Sequence, residues 1–201
     1  MIAIPTSWTP GALLKLETER FVLRTMTRED VDDSVVAWLA NPEVMVGLNL
    51  PRRRMTRAQA VRWALSYDNA TKFMVLVCAK DSGEKIGFFT LTIEGAHRTA
   101  ETAVVVGAQH WWGKNVVAEC RAVLMDFLFD TLNMHKVIGR PHGRNMSSIF
   151  NYKKMGFTCE AVLRQQMRAI DSGEGEDKRL DQLIFGMLRT EWHARKAGEA
   201  A

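Results

Sequence analysis

Apolar and polar positions alternate along the chain in two rhythms, and together they predict an ordered series of strands and helices. The densest apolar stretch is Val116–Leu132, interrupted only by Glu119, Arg121, Asp126, Asp130 and Thr131. A segment apolar around most of its circumference predicts a helix buried on most sides. Strand-length runs at Thr102–Val106 and Lys136–Pro141 flank it. Strand, long helix and strand make a crossover unit, with the helix covering a sheet. Ahead of this unit Phe21–Met26 alternates as a first strand, Phe73–Ala79 is continuously apolar, and Lys85–Ile93 returns after the turn Asp81-Ser82-Gly83. A second turn at Gly95–Arg98 completes a three-stranded meander.

Helices are predicted over Val31–Ala40, started by a capping-box-like Thr27/Asp30 pair and stopped by Asn41-Pro42, and over Thr56–Tyr67 with Thr56 as cap. A short helix at Met146–Met155, strands at Thr158–Ile170 and Arg179–Leu188, and a terminal helix at Thr190–Lys196 complete the series, with 171–178 a polar loop and 1–15 an irregular arm. This order predicts an α+β fold, a mixed sheet with helices on both faces, in one domain spanning 1–201.

Composition narrows the function classes. The net charge of +4 would suit an anionic ligand such as a nucleotide cofactor, and is too small to argue for nucleic-acid binding. Cys78, Cys120 and Cys159 are odd in number and widely spaced, which fits a reduced cytoplasmic protein with no metal site. No apolar run is long enough for a membrane span or signal peptide. The arginine run Arg52–Arg54 reads as a solvated face or as a reception for an acidic acceptor. The end of Thr102–Val106 and the start of the following helix form a cradle for an anion.

Four segments carry a family resemblance: Leu16-Glu-Thr-Glu-Arg-Phe-Val-Leu-Arg24, Trp112-Gly-Lys-Asn-Val-Val-Ala-Glu119, the run from Asn145 through Ser148 to Lys154-Met-Gly-Phe157, and Asp181–Trp192. In order and spacing they resemble the GNAT superfamily of N-acetyltransferases, and within it the branch of ribosomal-protein N-terminal acetyltransferases. The resemblance implies a mostly antiparallel central sheet and acetyl-CoA as co-substrate. It also implies direct attack by an amine acceptor, either a small molecule or a protein N-terminus, in a ternary complex. A different acyl-CoA, an O-acceptor, or a non-catalytic binding module are the alternatives, and a homodimer is left open.

The same resemblance assigns residues. Trp112, Gly113, Lys114, Asn115, Val116 and Val117 fall on the pyrophosphate loop, with Asn115 where glycine is usual and Val117 where Gly or Ala is usual. Asparagine tolerates the left-handed backbone region that glycine supplies. Val104, Val105 and Val106 fall where a splayed strand pairs with the pantetheine arm, with Gly107 as a candidate bulge. Asn145 and Ser148 correspond to coenzyme contacts, and Tyr152, one turn further along the same helix face, to the general acid that protonates the departing thiolate. The residues themselves offer Glu101 and His110 as candidate bases, each having a solvated surface role as its alternative.

Overall fold

The continuous apolar run Phe73–Ala79 becomes a strand buried on both faces: Phe73, Val75 and Val77 enter one core, Met74, Leu76 and Cys78 the other. A strand with no polar face must lie between two helical layers. The computed structural model describes residues 8–50, 54–170 and 178–199. Its strands are β1 Lys15–Glu17, β2 Phe21–Thr25, β3 Lys72–Ala79, β4 Lys85–Glu94, β5 Thr99–Val106, β6 Lys136–Gly139, β7 Thr158–Arg168 and β8 Arg179–Leu188. They form one sheet in the order β1-β2-β3-β4-β5-β6-β8-β7. β5 and β6 are parallel, joined by the helical crossover; every other pair is antiparallel.

Helices α1 (Asp33–Ala40), α2 (Pro42–Val46) and α3 (Arg57–Ala64) cover one face, packing on Met74, Leu76, Phe88 and Val105. Helices α4 (Val116–Asp126), α5 (Met146–Lys154) and α6 (Arg189–Glu199) cover the other. No helix among the described residues is long and apolar enough to cross a membrane.

Several local expectations change. The arm is not irregular throughout: Lys15–Glu17 pairs with β2, and Trp8 packs edge-on against Phe127. The cap of α1 is Asp32, which accepts from the Ser34 and Val35 N–H groups; Thr27 and Asp30 instead close a turn bound by Arg24. Asn41-Pro42 ends α1 but also opens α2, with Asn41 as cap and proline in the first turn, where its missing N–H costs nothing. Thr56 does cap α3, in a full capping box with Gln59. The long central helix changes at Phe127 into a π-helical turn reaching Thr131, in which the consecutive side chains of Phe127, Leu128 and Phe129 are all buried.

Candidate functional site

β5 pairs with β6 only over Thr99–Glu101, opposite Lys136–Ile138, and β6 ends at Gly139 while β5 runs on to Val106. The two parallel strands therefore part, and the later half of β5 has no strand beside it on that side. Backbone groups alternate in direction along a strand. The Thr102 carbonyl points into the gap and accepts the Tyr152 hydroxyl at 3.2 Å. The Val106 carbonyl accepts the Trp112 indole N–H at 2.8 Å. Val104 lies between them and shares their direction, so its N–H and C=O face the gap. Val105 does not: its carbonyl points at β4, where a Cβ on Gly87 would stand 2.0 Å away, and its side chain is buried on the α1–α3 face. Of the expected trio, Val104 has its backbone facing the gap, Val106 shares its carbonyl with Trp112, and Val105 is turned away.

Beyond β5 the chain makes a short 3₁₀ turn, Gln109–Trp111, and enters α4. Gly113 at φ +75° and Asn115 at φ +61°, ψ +16° are both left-handed and reverse the chain around Lys114. Asn115 does not cap the helix with its side chain. The first intrahelical bond joins the Glu119 N–H to the Asn115 carbonyl at 3.2 Å, so the N–H groups ahead of Glu119 have no intrahelical partner. The branched residues of the first turn are accommodated because Val116 is buried and Val117 half-buried against the α4-side core. Two cations border this helix start. Lys114 Nζ sits 5.3 Å from the Trp111 ring centre, and Lys154 Nζ donates to Asn115 Oδ1 at 2.9 Å. Lys154 carried no assigned role in the sequence; its only signal was its place in the Lys-Met-Gly-Phe segment. Glu119 is structural. Burial pushes its carboxyl up, but hydrogen bonds from Thr18 and Arg20 outweigh this and hold it below the usual carboxylate range, fastening α4 to the β1–β2 turn.

The α5 residues separate. Asn145 caps α5, accepting the Ser148 N–H at 3.0 Å, while its amide donates to the Gly47 carbonyl. Its side chain is spent on joining α5 to the end of α2, and Ser148 is half-buried beside it. His142 reinforces the same joint, with Nε2 3.0 Å from the Gly47 carbonyl. Burial holds the His142 imidazole below its ordinary pKa, although the Gly47 and Val46 carbonyls favour the protonated ring. Tyr152 is 2% exposed, not open to a cleft. Its ring stacks on Phe185 at 5.2 Å, and its hydroxyl reaches the foot of the gap. Gly139 makes this approach feasible, since a Cβ there would lie 2.1 Å from the tyrosine Cζ.

The two candidate bases are not brought together. Glu101 lies on the paired part of β5, about 17 Å of strand before Val106. It is half-exposed and paired with Arg140 at 2.9 Å. It shares a face with Ala103 and Val105, which line a groove of about 200 Å³ between the sheet and α1–α3. Leu39, Met45, Trp63, Tyr67 and Phe88 supply most of its apolar wall. His110 points away from the gap, to the β4 side, where its Nε2 lies 2.9 Å from Glu84 and its side chain is 61% exposed. Of the arginine run, Arg52 and Arg53 lie outside the described residues, and Arg54 is exposed. Among the described residues no cluster of His, Cys, Asp or Glu could hold a metal.

A family model described as Acetyltransferase (GNAT) domain matches residues 20–158. The chain is 28% identical over 183 residues to the uncharacterized N-acetyltransferase p20 of Bacillus licheniformis, covering 88% of this chain and 97% of that one. Its fold matches the spermidine N-acetyltransferase of Vibrio cholerae, solved in complex with CoA and spermine, at a TM-score of 0.75, with 18% identity over 86% of this chain and 98% of that one. It also matches the ribosomal-protein-S5-alanine acetyltransferase of Vibrio fischeri at a TM-score of 0.74, with 15% identity over 89% of this chain and 98% of that one.

Proposed function

Because the chain belongs to the GNAT acetyltransferase family, we propose that it transfers the acetyl group of acetyl-CoA to a primary amine that attacks directly in a ternary complex. The observation that carries this reading is the gap beside β5, where the Val104 backbone faces an open edge between the Thr102 and Val106 carbonyls. An extended amide-bearing arm pairs with such an edge as an added strand would. The α4 start, with its unpaired N–H groups and with Lys114 and Lys154 nearby, supplies the donors and positive charge that a pyrophosphate needs.

The amine enters from the α1–α3 side. The groove there meets the gap at Val104, which lines it, so an acceptor lying in the groove presents its nitrogen to a thioester held along β5. The apolar wall favours an amine carried on an apolar or aromatic body. Glu101 is the acidic group on that face of β5, and it acts on the incoming ammonium through water once Arg140 releases it. Tyr152, at the foot of the gap, supplies the proton to the departing sulfur. The test is free-thiol release from acetyl-CoA across an amine panel spanning polyamines, amino acids, peptide N-termini and arylalkylamines. Turnover strongest with the apolar amines is expected, and no thiol release with any amine would overturn the reading.

A further inference from the structure

Arg121 lies in the middle of α4 and is 1% exposed, the largest side chain in the fully buried set. An arginine side chain carries a full positive charge. Among the described residues its Nε and Nη1 meet no hydrogen-bond acceptor. A buried cation without a counter-ion is costly enough that it needs a physical account. Two aromatic faces compensate in part: the guanidinium carbon stands 4.4 Å from the Tyr152 ring centre and 5.7 Å from that of Phe89. Phe89 is directly paired with Val104, so this charge sits level with the stretch of β5 that faces the gap. A second orphan lies in the same place. Thr102 Oγ1 is buried without a partner, on the residue whose carbonyl holds the Tyr152 hydroxyl.

Several other charges on the surrounding elements are already paired. On α4 itself, Glu119 is bound by Arg20 and Asp126 by Lys196 and Trp192. On β5 and the segment after β6, Glu101 and Arg140 pair on the sheet face away from α4, and on β6 and β7 Lys136 pairs with Glu160. The exposed Lys154 on α5 is turned to Asn115. Among the described residues Arg121 is therefore a positive charge with no counter-ion, and it faces the ring proposed to carry the proton.

We propose that Arg121 is an electrostatic positioning residue for acyl transfer, its counter-charge being the negative charge that arises on Tyr152 as the tyrosine gives its proton to the departing sulfur. This rests on the acetyl-CoA reading above. In the step, the amine nitrogen forms a bond to the acetyl carbon and the C–S bond breaks, its electron pair staying on sulfur. The Tyr152 hydroxyl turns from the Thr102 carbonyl and gives its proton to sulfur. The phenolate so formed lies against the guanidinium, then regains a proton from those the amine sheds. A cation over the ring stabilises that transient charge more than it stabilises the resting phenol, which is the condition for raising kcat.

The test compares the parent with Arg121→Leu, Tyr152→Phe and the double variant. Leucine is apolar and removes the unpaired charge, so Arg121→Leu is expected to melt no lower than the parent. It should bind CoA within about threefold of the parent and lose roughly tenfold or more in kcat. In the Tyr152→Phe background the same change should cost less than about twofold, because the two act as a unit. Arg121→Lys, which keeps the charge, should recover part of kcat, and it carries the test if the leucine variant fails to fold. Unchanged kcat in an Arg121→Leu protein that binds CoA, or equal effects in both backgrounds, would overturn the inference while leaving the acetyl-CoA reading intact. Absence of CoA binding by the parent would overturn both.

Discussion

Asn115 gives the most direct handle on the proposed anion cradle. The residue sits at φ +61°, ψ +16°, with its side chain turned to Lys154 and not to the helix. Glycine at this position relaxes the backbone at the cost of one exposed hydrogen bond, worth about 0.5–1 kcal/mol, so the two effects nearly cancel. Valine is β-branched and pays at least about 1–2 kcal/mol to hold the left-handed region. If the helix start must keep this turn to receive pyrophosphate, that cost appears in binding as roughly a tenfold loss of CoA affinity. Part of it also appears as a fall in Tm of about 2–4 °C per kcal/mol in a chain of this size. Calorimetric titration of CoA into the parent, Asn115→Gly and Asn115→Val is the assay. The expected order is glycine within about threefold of the parent and valine roughly tenfold weaker. Equal affinity in all three proteins would refute the reasoning, and so would a valine variant that melts lower yet binds unchanged, since its strain would then lie outside the ligand site.

Two other perturbations follow from buried polar contacts. Tyr152→Phe removes the donor to the Thr102 carbonyl and leaves it unsatisfied, so the variant should lose about 1–3 kcal/mol of stability by denaturant unfolding while kcat falls roughly 10²-fold; a variant as stable and as active as the parent would return the tyrosine to a packing role. Burial favours neutral His142 in the folded protein and holds its pKa below the ordinary imidazole value of 6.5, so its contribution is complete above that value and is lost as pH falls below it. Unfolding free energy should therefore drop between pH 7.5 and 5.5, by at most about 1.4 kcal/mol per pH unit from this group, and His142→Gln should flatten that slope; the same slope in both proteins would show that His142 is not the titrating group.

The sequence disclosed the strands and helices wherever a long hydrophobic period was uninterrupted, as in β3 and α4. It missed elements whose stability is not periodic. α2 is five residues long and depends on the Asn41 cap, and β1 is three residues long and is defined by its pairing with β2. The positive φ at Asn115 was legible because an asparagine stood where the family resemblance expects a glycine. What the side chains at the site are tied to was not legible. Asn145 shares a helix turn with Ser148 in any reading, but only the chain path shows that its amide is spent on Gly47. Glu101 and His110 are ordinary polar residues in sequence, and their contacts with Arg140 and Glu84 depend on neighbours far along the chain. Arg121 gave no sign of its position either. A single arginine in an apolar helix reads as a surface residue, until the crossover places both helix faces under cover.

Calorimetric titration of the parent protein with acetyl-CoA, against ATP and NAD as controls, tests the central claim most directly. On the proposed reading, the gap beside β5 receives an amide-bearing arm and the α4 start a pyrophosphate, and the ligand carries both. Saturable, one-to-one binding of acetyl-CoA with no comparable heat from ATP or NAD is the predicted result. No acetyl-CoA binding up to about millimolar concentration, where a binding free energy would be weaker than roughly −4 kcal/mol, would contradict the account.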